Sequence, residues 1–267
     1  MTLFELKETL ARGGIPDPET DALLLLTHVF GITNAACRAD PNKDYDSPAL
    51  HAAVKRRLRR EPLQHILGEV WFYDEKYEVS ADCLIPRADT ELLVEEAIRL
   101  LPPNAHFADL CTGSGCIAVS VCAHRKDLRA TAVDISEAAL AIAARNAEKN
   151  GVRDRISFLH DDLLTPHAAD RIVFDAILSN PPYIPTEVVG TLAPELAFEP
   201  SIALDGGADG LVFYRALLRH FHAPLFLFEI GYDQKEAILL LAKQHGYDAK
   251  VCRDLGGNDR LAVLTRS

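Results

Sequence analysis

The feature that most restricts the fold of this chain is an alternation of short apolar segments with helical patterns, which begins at Phe107. Strands are predicted at residues 107–111, 130–133, 156–159, 172–178 and 225–230. Helices are predicted between them or after them, at residues 115–123, 136–150 and 234–244. This alternation predicts an α/β fold with a parallel sheet that helices cover on both faces. The last two predicted strands, at residues 250–252 and 261–264, have no helix between them and therefore predict a C-terminal antiparallel strand pair.

The first part of the chain has a different pattern, which is helical throughout. Helices are predicted at residues 3–11, 16–30 and 47–60, and Ser47 is a suitable N-cap for the third. Residues 1–61 are therefore predicted to form a small all-α domain. Residues 62–86 are predicted to connect it, through a β-hairpin, to a larger domain at residues 87–267 that begins with a helix at residues 91–101.

Charge and composition argue against several classes of protein. The formal net charge is −11, whereas an extensive nucleic-acid surface needs clustered basic side chains. No stretch reaches the roughly 20 apolar residues of a membrane-spanning helix, and the six cysteines form no close pair typical of a zinc or redox site. We therefore expect a cytoplasmic, monomeric enzyme with reduced cysteines, without a membrane segment and without a metal.

One local basic cluster contrasts with this acidic balance. It comprises Lys55, Arg56, Arg57, Arg59 and Arg60. One interpretation is a solvated helix face, with cations favoured near a helix C-terminus. The other interpretation is a contact with a ribosomal or acidic partner.

A glycine-rich turn, Asp109-Leu-Cys-Thr-Gly-Ser-Gly115, follows the first strand of the alternating part. Gly113 and Gly115 let the backbone approach a ligand where a Cβ atom would clash, although a turn of this kind by itself can also be structural. Asp134 ends the next strand, where a carboxylate can accept hydrogen bonds from both ribose hydroxyls of an adenosine cofactor. Its alternative role is the N-cap of the following helix, for which Ser136 competes. Together, the turn and the acid predict an adenosine-containing ligand.

A third motif, Asn180-Pro-Pro-Tyr183, directly follows a hydrophobic strand. Open α/β sheets bind ligands at the carboxyl ends of their strands, and two prolines stiffen a loop there. Asn180 offers an amide oxygen and an NH2 group, Pro181 offers a backbone carbonyl, and Tyr183 offers an aromatic face. The motif predicts a site where a planar NH2 group donates its hydrogens to two oxygens while it rests on the ring.

The order of these three motifs resembles the class I methyltransferases that modify exocyclic or amide nitrogens. Three further segments look like those of one family, the release factor glutamine methyltransferases (PrmC, also called HemK). They are Arg60-Glu-Pro-Leu-Gln-His-Ile-Leu-Gly68, Pro86-Arg-Ala-Asp-Thr-Glu91 and Glu199-Pro-Ser-Ile-Ala-Leu-Asp-Gly-Gly-Ala-Asp-Gly-Leu211. The resemblance runs from about residue 60 to the end, and it is weaker but compatible in the helical part, which in the family binds the release factor.

The resemblance implies a class I (Rossmann-like) methyltransferase sheet and transfer of a methyl group from S-adenosyl-L-methionine, which leaves S-adenosyl-L-homocysteine. The acceptor that it implies is N5 of the glutamine in the Gly-Gly-Gln motif of peptide-chain release factors. The cofactor-binding residues that it implies are Cys111, Thr112, Gly113, Ser114 and Gly115 for methionine, Asp134 for ribose, Asp162 and Leu163 for adenine, and Asn180. The catalytic and substrate-binding residues that it implies are Asn180, Pro181, Pro182 and Tyr183.

Several residues allow two interpretations. Many family members have Gly at the position of Cys111, which is either a small apolar residue or a reactive thiol of low pKa. Many have an aromatic residue at the position of Leu163, so adenine stacking is expected to be weaker here. Arg87 and Thr90 are interpreted as closing over the site, with a surface ion pair as the alternative for Arg87. The remaining two carboxylates are Glu199, which orders the substrate loop or caps a turn, and Glu229, which we interpret as structural.

Three other functions are weighed against this one. A ribosomal protein glutamine methyltransferase shares the Asn-Pro-Pro-Tyr and Glu-Pro segments but usually departs from the Pro-Arg-x-Asp-Thr-Glu string. A DNA or rRNA base methyltransferase has to extract a base from its stack and should carry a basic recognition region, which the acidic balance disfavours. A non-catalytic binding module is disfavoured by the intact Asn-Pro-Pro-Tyr motif.

Overall fold

The computed structural model describes residues 1–266, whose contacts divide the chain into two units. The helical unit consists of Met1–Glu69 together with the short segment Ala193–Phe198. The sheet unit consists of the rest of the described chain from Val70 onward. The predicted domains at residues 1–61, 62–86 and 87–267 stay a prediction, and the contacts group residues 62–69 with the helices that precede them.

The helical unit contains the helices α1 (Leu3–Arg12), α2 (Pro18–Phe30), α3 (Asn34–Ala39), α4 (Pro48–Leu58) and α5 (Leu63–Leu67). Thr2 and Glu5 form a capping box at the start of α1. The Oγ atom of Ser47 accepts from the backbone N–H of Leu50 at 3.0 Å, which confirms Ser47 as the N-cap of α4. The sequence does not predict α3 and α5, because one or two helical turns are too short to show a periodic pattern.

The basic cluster around the end of α4 is engaged in ion pairs within the helical unit. Arg57 Nε donates to Asp21 Oδ2 at 2.6 Å, and both side chains are less than 10% exposed, at 7% and 9%. Arg57 and Arg60 also pair with Glu195, which lies in the segment Ala193–Phe198. Arg57 does lie in the last turn of α4, but it is buried, so neither a solvated face nor a contact with a partner describes it.

The sheet unit is built on a seven-stranded sheet in the order β5-β4-β3-β6-β7-β9-β8. Its strands are β3 (His106–Leu110), β4 (Arg129–Asp134), β5 (Ile156–His160), β6 (Ala176–Ser179), β7 (Leu225–Glu229), β8 (Tyr247–Arg253) and β9 (Asp259–Arg266). The strands β3 to β7 are parallel, and β9 runs antiparallel to both β7 and β8. The predicted parallel sheet and its closing antiparallel pair are confirmed. A separate two-stranded sheet of β1 (Glu69–Phe72) and β2 (Glu75–Glu78) confirms the predicted hairpin.

In the part of the sheet unit that the structure describes, six α-helices accompany the large sheet. They are α6 (Glu91–Leu100), α7 (Cys116–His124), α8 (Glu137–Lys149), α9 (Thr186–Val189), α10 (Val212–His220) and α11 (Lys235–Gln244). One hydrophobic cluster lies on each face of the sheet, because successive residues of a strand point to opposite faces. Phe107 and Leu178 belong to one cluster, and Ala108 and Ile177 belong to the other. None of the helices in residues 1–266 is long and apolar enough to cross a membrane.

One predicted strand of the sheet unit needs correction, and one helix is absent from the prediction. The strand predicted at residues 172–178 begins only at Ala176, because a 3-10 turn at Ala169–Arg171 precedes it and Val173 is 86% exposed. The helix α10 was not predicted, although Tyr214, Leu217 and Leu218 are buried at helical spacing and could have revealed it.

Candidate functional site

The carboxyl ends of four neighbouring strands border a cavity of about 710 Å³ in the sheet unit. Cys111 follows β3, Asp134 ends β4, Asp161 follows β5 and Asn180 follows β6, and all four residues line the cavity. The chain lays β4 and β5 on one side of β3, and β6 and β7 on the other. The cavity therefore lies where the strand order reverses, which is the usual ligand site of an open α/β sheet.

The two glycines of the turn after β3 have different structural roles. Gly113 has a φ of 54° and lines the cavity; apart from its chain neighbours, no described atom lies within 4 Å of where its Cβ would be. Gly115 has a φ of 80°, and a Cβ there would lie 2.9 Å from the Cβ of Ala143 on α8. Gly113 therefore leaves space beside the cavity, whereas Gly115 lets α8 pack closely against the turn.

Two other residues of this turn are buried and hold it in place. Thr112 Oγ1 donates to Asp109 Oδ2 at 2.6 Å, and the carbonyl of Ser114 accepts from Asn146 Nδ2 at 2.9 Å. Their expected contact with the methionine part of the cofactor stays a prediction. The bonds show a supporting role, because they anchor the turn to β3 and α8.

Asp134 connects the glycine turn to the start of α8. Its Oδ2 atom accepts from the N–H of Gly113 and its Oδ1 atom from the N–H of Ser136, both at 2.9 Å. Ser136 Oγ accepts from the N–H of Ala139, so Ser136 is the N-cap of α8 and Asp134 is not. Burial raises the pKa of the Asp134 carboxyl. Each carboxylate oxygen keeps a further lone pair, so Asp134 can accept two more hydrogen bonds from a ligand in the cavity.

Two aspartates shape the turn after β5. Asp161 Oδ2 accepts from the N–H of Ala169 at 2.8 Å, and Asp162 Oδ1 accepts from the N–H of Leu164 at 2.9 Å. Asp162 and Leu163 both line the cavity, and Leu163 is only 4% exposed. Their expected contacts with adenine stay predictions, to which the structure adds Asp161 as the residue that orders the turn.

Asn180 opens the loop after β6, and its side-chain amide is fixed on one side. Asn180 Nδ2 donates to Thr90 Oγ1 at 3.2 Å. Thr90 is 2% exposed and in turn donates to Glu229 Oε2 at 2.6 Å. Asn180 and Pro182 line the cavity. The structure therefore brings a residue of the Pro86–Glu91 segment into direct contact with the Asn-Pro-Pro-Tyr motif, as expected if Thr90 belongs to the site.

Tyr183 and Pro181 belong to the same loop after β6 as Asn180. Tyr183 OH donates to Glu229 Oε1 at 3.3 Å, and neither Tyr183 nor Pro181 is among the described residues that line the cavity. Glu229 ends β7 and is 2% exposed. It bonds to the side chains of Thr90 and Tyr183, which is compatible with its interpretation as structural and adds contacts that the sequence does not show. The substrate-binding roles of Pro181, Pro182 and Tyr183 stay predictions.

Comparisons with known proteins cover nearly the whole chain. Residues 3–68 match the PrmC N-terminal domain, and residues 88–199 match the methyltransferase small domain. The chain is 38% identical to the release factor glutamine methyltransferase of Caulobacter vibrioides, over 96% of this chain and 92% of that protein. It is 40% identical to the release factor glutamine methyltransferase of Cereibacter sphaeroides, over 94% of this chain and 92% of that protein. The chain belongs to the release factor glutamine methyltransferase family.

A comparison of structures supports the fold of this family member. A chain of the E. cuniculi Mtq2-Trm112 complex matches with a TM-score of 0.50, over 70% of this chain and 99% of that chain, at 19% identity. At this identity the match shows the fold alone. Together with the match to the methyltransferase small domain, it confirms the expected class I, Rossmann-like methyltransferase sheet. The family resemblance is confirmed by the sequence matches.

In this member of the release factor glutamine methyltransferase family, Arg87 forms an ion pair with Glu199. The Glu199 side chain is 1% exposed, and its Oε2 atom also accepts from the N–H of Ile85 at 2.9 Å. The ion pair of Arg87 is confirmed, but it is not a surface pair, because the Glu199 carboxylate is buried; the closure of Arg87 over the site stays a prediction. Glu199 orders the beginning of the segment that continues into the cavity wall at Pro200.

Sequence reasoning missed several side chains of the cavity. They include Ile135, Leu164 and Phe213, and also Ser201, Ile202 and Ala203, whose segment the sequence singles out only by its family resemblance. Ile135 and Ile202 are 52% and 56% exposed, so they offer apolar surface to a ligand. An apolar residue directly after the acid that ends β4 is a signal that could have revealed Ile135, because such a position faces the carboxyl edge of the sheet.

Cys111 adopts the left-handed backbone conformation, which glycine adopts without a Cβ penalty. Its φ is 60°, which costs a non-glycine residue about 1 kcal/mol. Desolvation raises the pKa of its thiol well above the usual range, which argues against the interpretation as a reactive thiol of low pKa. We expect Cys111→Gly to raise the free energy of unfolding by about 0.5–1 kcal/mol in denaturant titrations.

A matched control for this prediction is Cys252→Gly in the extended strand β8. There the loss of a side chain and the added backbone freedom should lower the free energy of unfolding. A Cys111→Gly variant less stable than the unmodified protein would show that the contacts of the Cys111 side chain stabilise the fold by more than its left-handed backbone costs.

Proposed function

We propose that this protein transfers a methyl group from S-adenosylmethionine to the side-chain amide nitrogen, N5, of a glutamine in peptide-chain release factors. The observation that carries the proposal is the Asn180 amide at the cavity wall. Its Nδ2 atom is engaged by Thr90, so its Oδ1 atom is the end that can accept from a substrate NH2 group. Two relatives named release factor glutamine methyltransferase match 96% and 94% of the chain, which supports the same activity here.

The cavity suits an adenosine-containing cofactor. Asp134 offers free lone pairs to ribose hydroxyls, Ile135 and Leu163 offer apolar surface to a base, and Gly113 leaves space for the amino-acid part. S-adenosylmethionine, when bound, supplies an electron-poor methyl group on its sulfonium. The residues of the chain then have to place the substrate nitrogen in line with that methyl group.

Positioning is the main chemical task, because the lone pair of an amide nitrogen is delocalised and makes it a poor nucleophile. Asn180 Oδ1 and the carbonyl of Pro181 are the acceptors that we assign to the two hydrogens of the substrate NH2. As the nitrogen becomes more tetrahedral, its hydrogens become more acidic and both bonds strengthen. The two bonds therefore fix the nitrogen and also stabilise the transition state. The product proton leaves to water afterwards.

We assign the choice of protein substrate to the helical unit, whose residues 3–68 match the N-terminal domain characteristic of the family. The test is incubation with labelled S-adenosylmethionine and a release factor, a ribosomal protein or an rRNA fragment in separate reactions. Mass spectrometry should then map the methyl group to the glutamine of Gly-Gly-Gln in the release factor. A label found only on the ribosomal protein or on RNA would overturn the proposal. A release-factor substrate also places the reaction in the cytoplasm.

We expect Asp134→Ala to weaken the binding of S-adenosylmethionine by about 1–3 kcal/mol in calorimetry, the size of lost hydrogen bonds to a charged group. The variant loses the ribose acceptor and also the anchor of the Gly113 N–H. Glu137→Ala is the matched control, because Glu137 is an exposed acid three residues along the chain that does not line the cavity among the described residues. Equal affinities for both variants would remove Asp134 from the cofactor site.

A further inference from the structure

We propose that Glu229 is a positioning residue that acts through Thr90 and holds the Asn180 amide with its oxygen toward the substrate. The inference rests on the proposed function, since it explains how the amide comes to present an acceptor. Thr90 bridges the two residues: its Oγ1 atom lies 2.6 Å from Glu229 Oε2 and 3.2 Å from Asn180 Nδ2. All three side chains belong to the sheet unit.

The orientation follows from counting hydrogens. The Thr90 hydroxyl has a single hydrogen, and it donates that hydrogen to the Glu229 carboxylate. Toward Asn180 the hydroxyl can then only accept, so Asn180 has to turn its NH2 group to Thr90. The amide oxygen is left to face the cavity. Without this bridge, both orientations of the Asn180 amide would fit the site, because the oxygen and the NH2 group have nearly the same shape.

Glu229 is surrounded by groups on several elements. Its charged and titratable neighbours are Asp89, Cys116, Tyr183, Tyr214 and Arg260. Burial raises the pKa of the Glu229 carboxyl to about 7, although the bond from Thr90 and the charge of Arg260 oppose that rise. The charge of Arg260 is shared among several carboxylates, because Arg260 also pairs with Asp89 and with Asp254, each at 3.3 Å.

Protonation of Glu229 removes the constraint on the amide. A protonated carboxyl can donate its own hydrogen to Thr90 Oγ1, which frees the hydroxyl hydrogen to point at Asn180. The amide can then rotate, so that its NH2 group faces the substrate NH2 and two donors oppose each other. The ionised form of Glu229 therefore keeps the productive orientation, and the rate should rise with pH as Glu229 loses its proton.

The test compares three variants of the full chain in release-factor methylation. We expect Thr90→Val to lower kcat about tenfold, the size of one lost hydrogen bond, with little change in KM and in cofactor affinity. Thr90→Ser keeps the hydroxyl and should restore the rate. Thr131→Val in β4, which removes a buried hydroxyl that contacts His106, is the matched control and should leave kcat unchanged.

The pH profile separates this role from a merely structural one. Unmodified protein should show kcat rising between pH 6 and pH 8, across the pKa of about 7 of Glu229. In Thr90→Val this step should be lost, and Glu229→Gln should have at pH 8 the rate that the unmodified protein has at its low-pH plateau. The pKa of Asp109 is also raised to about 7, but Asp109 is present in all these proteins. A difference between their pH profiles therefore reports on Glu229 and not on Asp109.

A readout without substrate makes the two proposals distinguishable. The side-chain amide resonance of Asn180, identified by its loss in Asn180→Ala, should titrate with Glu229 in the unmodified protein and not in Thr90→Val. If the resonance titrates but no release factor is methylated, the proposed function fails and the positioning role stands. If Thr90→Val keeps the kcat, the pH profile and the amide titration of the unmodified protein, the positioning role is overturned.

Discussion

Replacing Asn180 by alanine is expected to slow glutamine methylation by roughly 10²–10³, the usual loss for one preorganised transition-state contact. The affinity for S-adenosylmethionine should fall much less, because the lost bond goes to the substrate nitrogen and strengthens only as the methyl group is transferred. Single-turnover rates with saturating release factor, together with calorimetry of cofactor binding, measure the two quantities separately. Gln244→Ala, an exposed amide truncation at the end of α11, is the matched control.

Asn180→Asp is the sharper variant, because a carboxylate has nearly the shape of the amide and is a stronger acceptor. In this structure the hydrogen of Thr90 is already donated to Glu229. An aspartate at position 180 would place a second carboxylate against the same hydroxyl, with one hydrogen between two acceptors. We therefore expect activity to collapse in this variant as well.

Retention of more than about half of the activity by both variants would contradict a transition-state role for Asn180, since such a role is defined by an effect on the rate. Retention by Asn180→Asp alone would mean that Thr90 can turn its hydrogen away from Glu229. That outcome would still leave Asn180 as an acceptor for the substrate.

The second large effect is expected in the helical unit, where Arg57→Ala should lower the free energy of unfolding by about 3–5 kcal/mol. The guanidinium of Arg57 donates to Asp21 at 2.6 Å, to Glu195 at 3.2 Å and to the carbonyl of Glu61 at 3.2 Å. Removing it leaves the Asp21 carboxylate buried, at 9% exposure, without its cation. Denaturant titration of the full chain, followed by the circular dichroism of its helices, measures the loss.

The neighbouring residue supplies a matched control. Arg56→Ala removes an arginine of the same helix that pairs with Glu61 while 44% exposed, so its loss should cost no more than about 1 kcal/mol. The double variant Asp21→Leu with Arg57→Met should recover most of the stability, because it removes both buried charges together. Equal losses in Arg56→Ala and Arg57→Ala would contradict the assignment of a buried ion pair.

Several features of this protein could be predicted because their causes lie within a few residues of the chain. A parallel strand that is buried on both faces leaves a short apolar segment in the sequence, with a helical pattern before or after it. This pattern predicted the positions of β3, β4, β5 and β7. The N-caps Ser47 and Ser136 bond to backbone groups only three residues ahead, so the sequence shows them directly. The order of glycine turn, acid and Asn-Pro-Pro-Tyr placed the candidate site at one edge of the sheet.

Other features could not be predicted, because local patterns do not encode them. The helices α3 and α5 are too short for a periodic signal. A run of basic residues is expected to be solvated, yet Arg57 is buried. It pairs with Asp21, 36 positions earlier, and with Glu195, 138 positions later. The sequence does not distinguish the roles of Gly113 and Gly115, which lie in one turn. Their roles differ because α8 packs against Gly115 and not against Gly113.

The sequence by itself determined the sheet, the edge at which it binds ligands and the motif residues at that edge, since each depends on short-range spacing. Only the tertiary structure decided how those residues are oriented. Thr90 lies 90 positions from Asn180 and 139 positions from Glu229, and the bonds among them form because β6 and β7 are neighbours in the sheet. Hydrogen bonds over such separations depend on the assembled sheet, so Glu229 looked structural in the sequence and only the fold places it behind the amide.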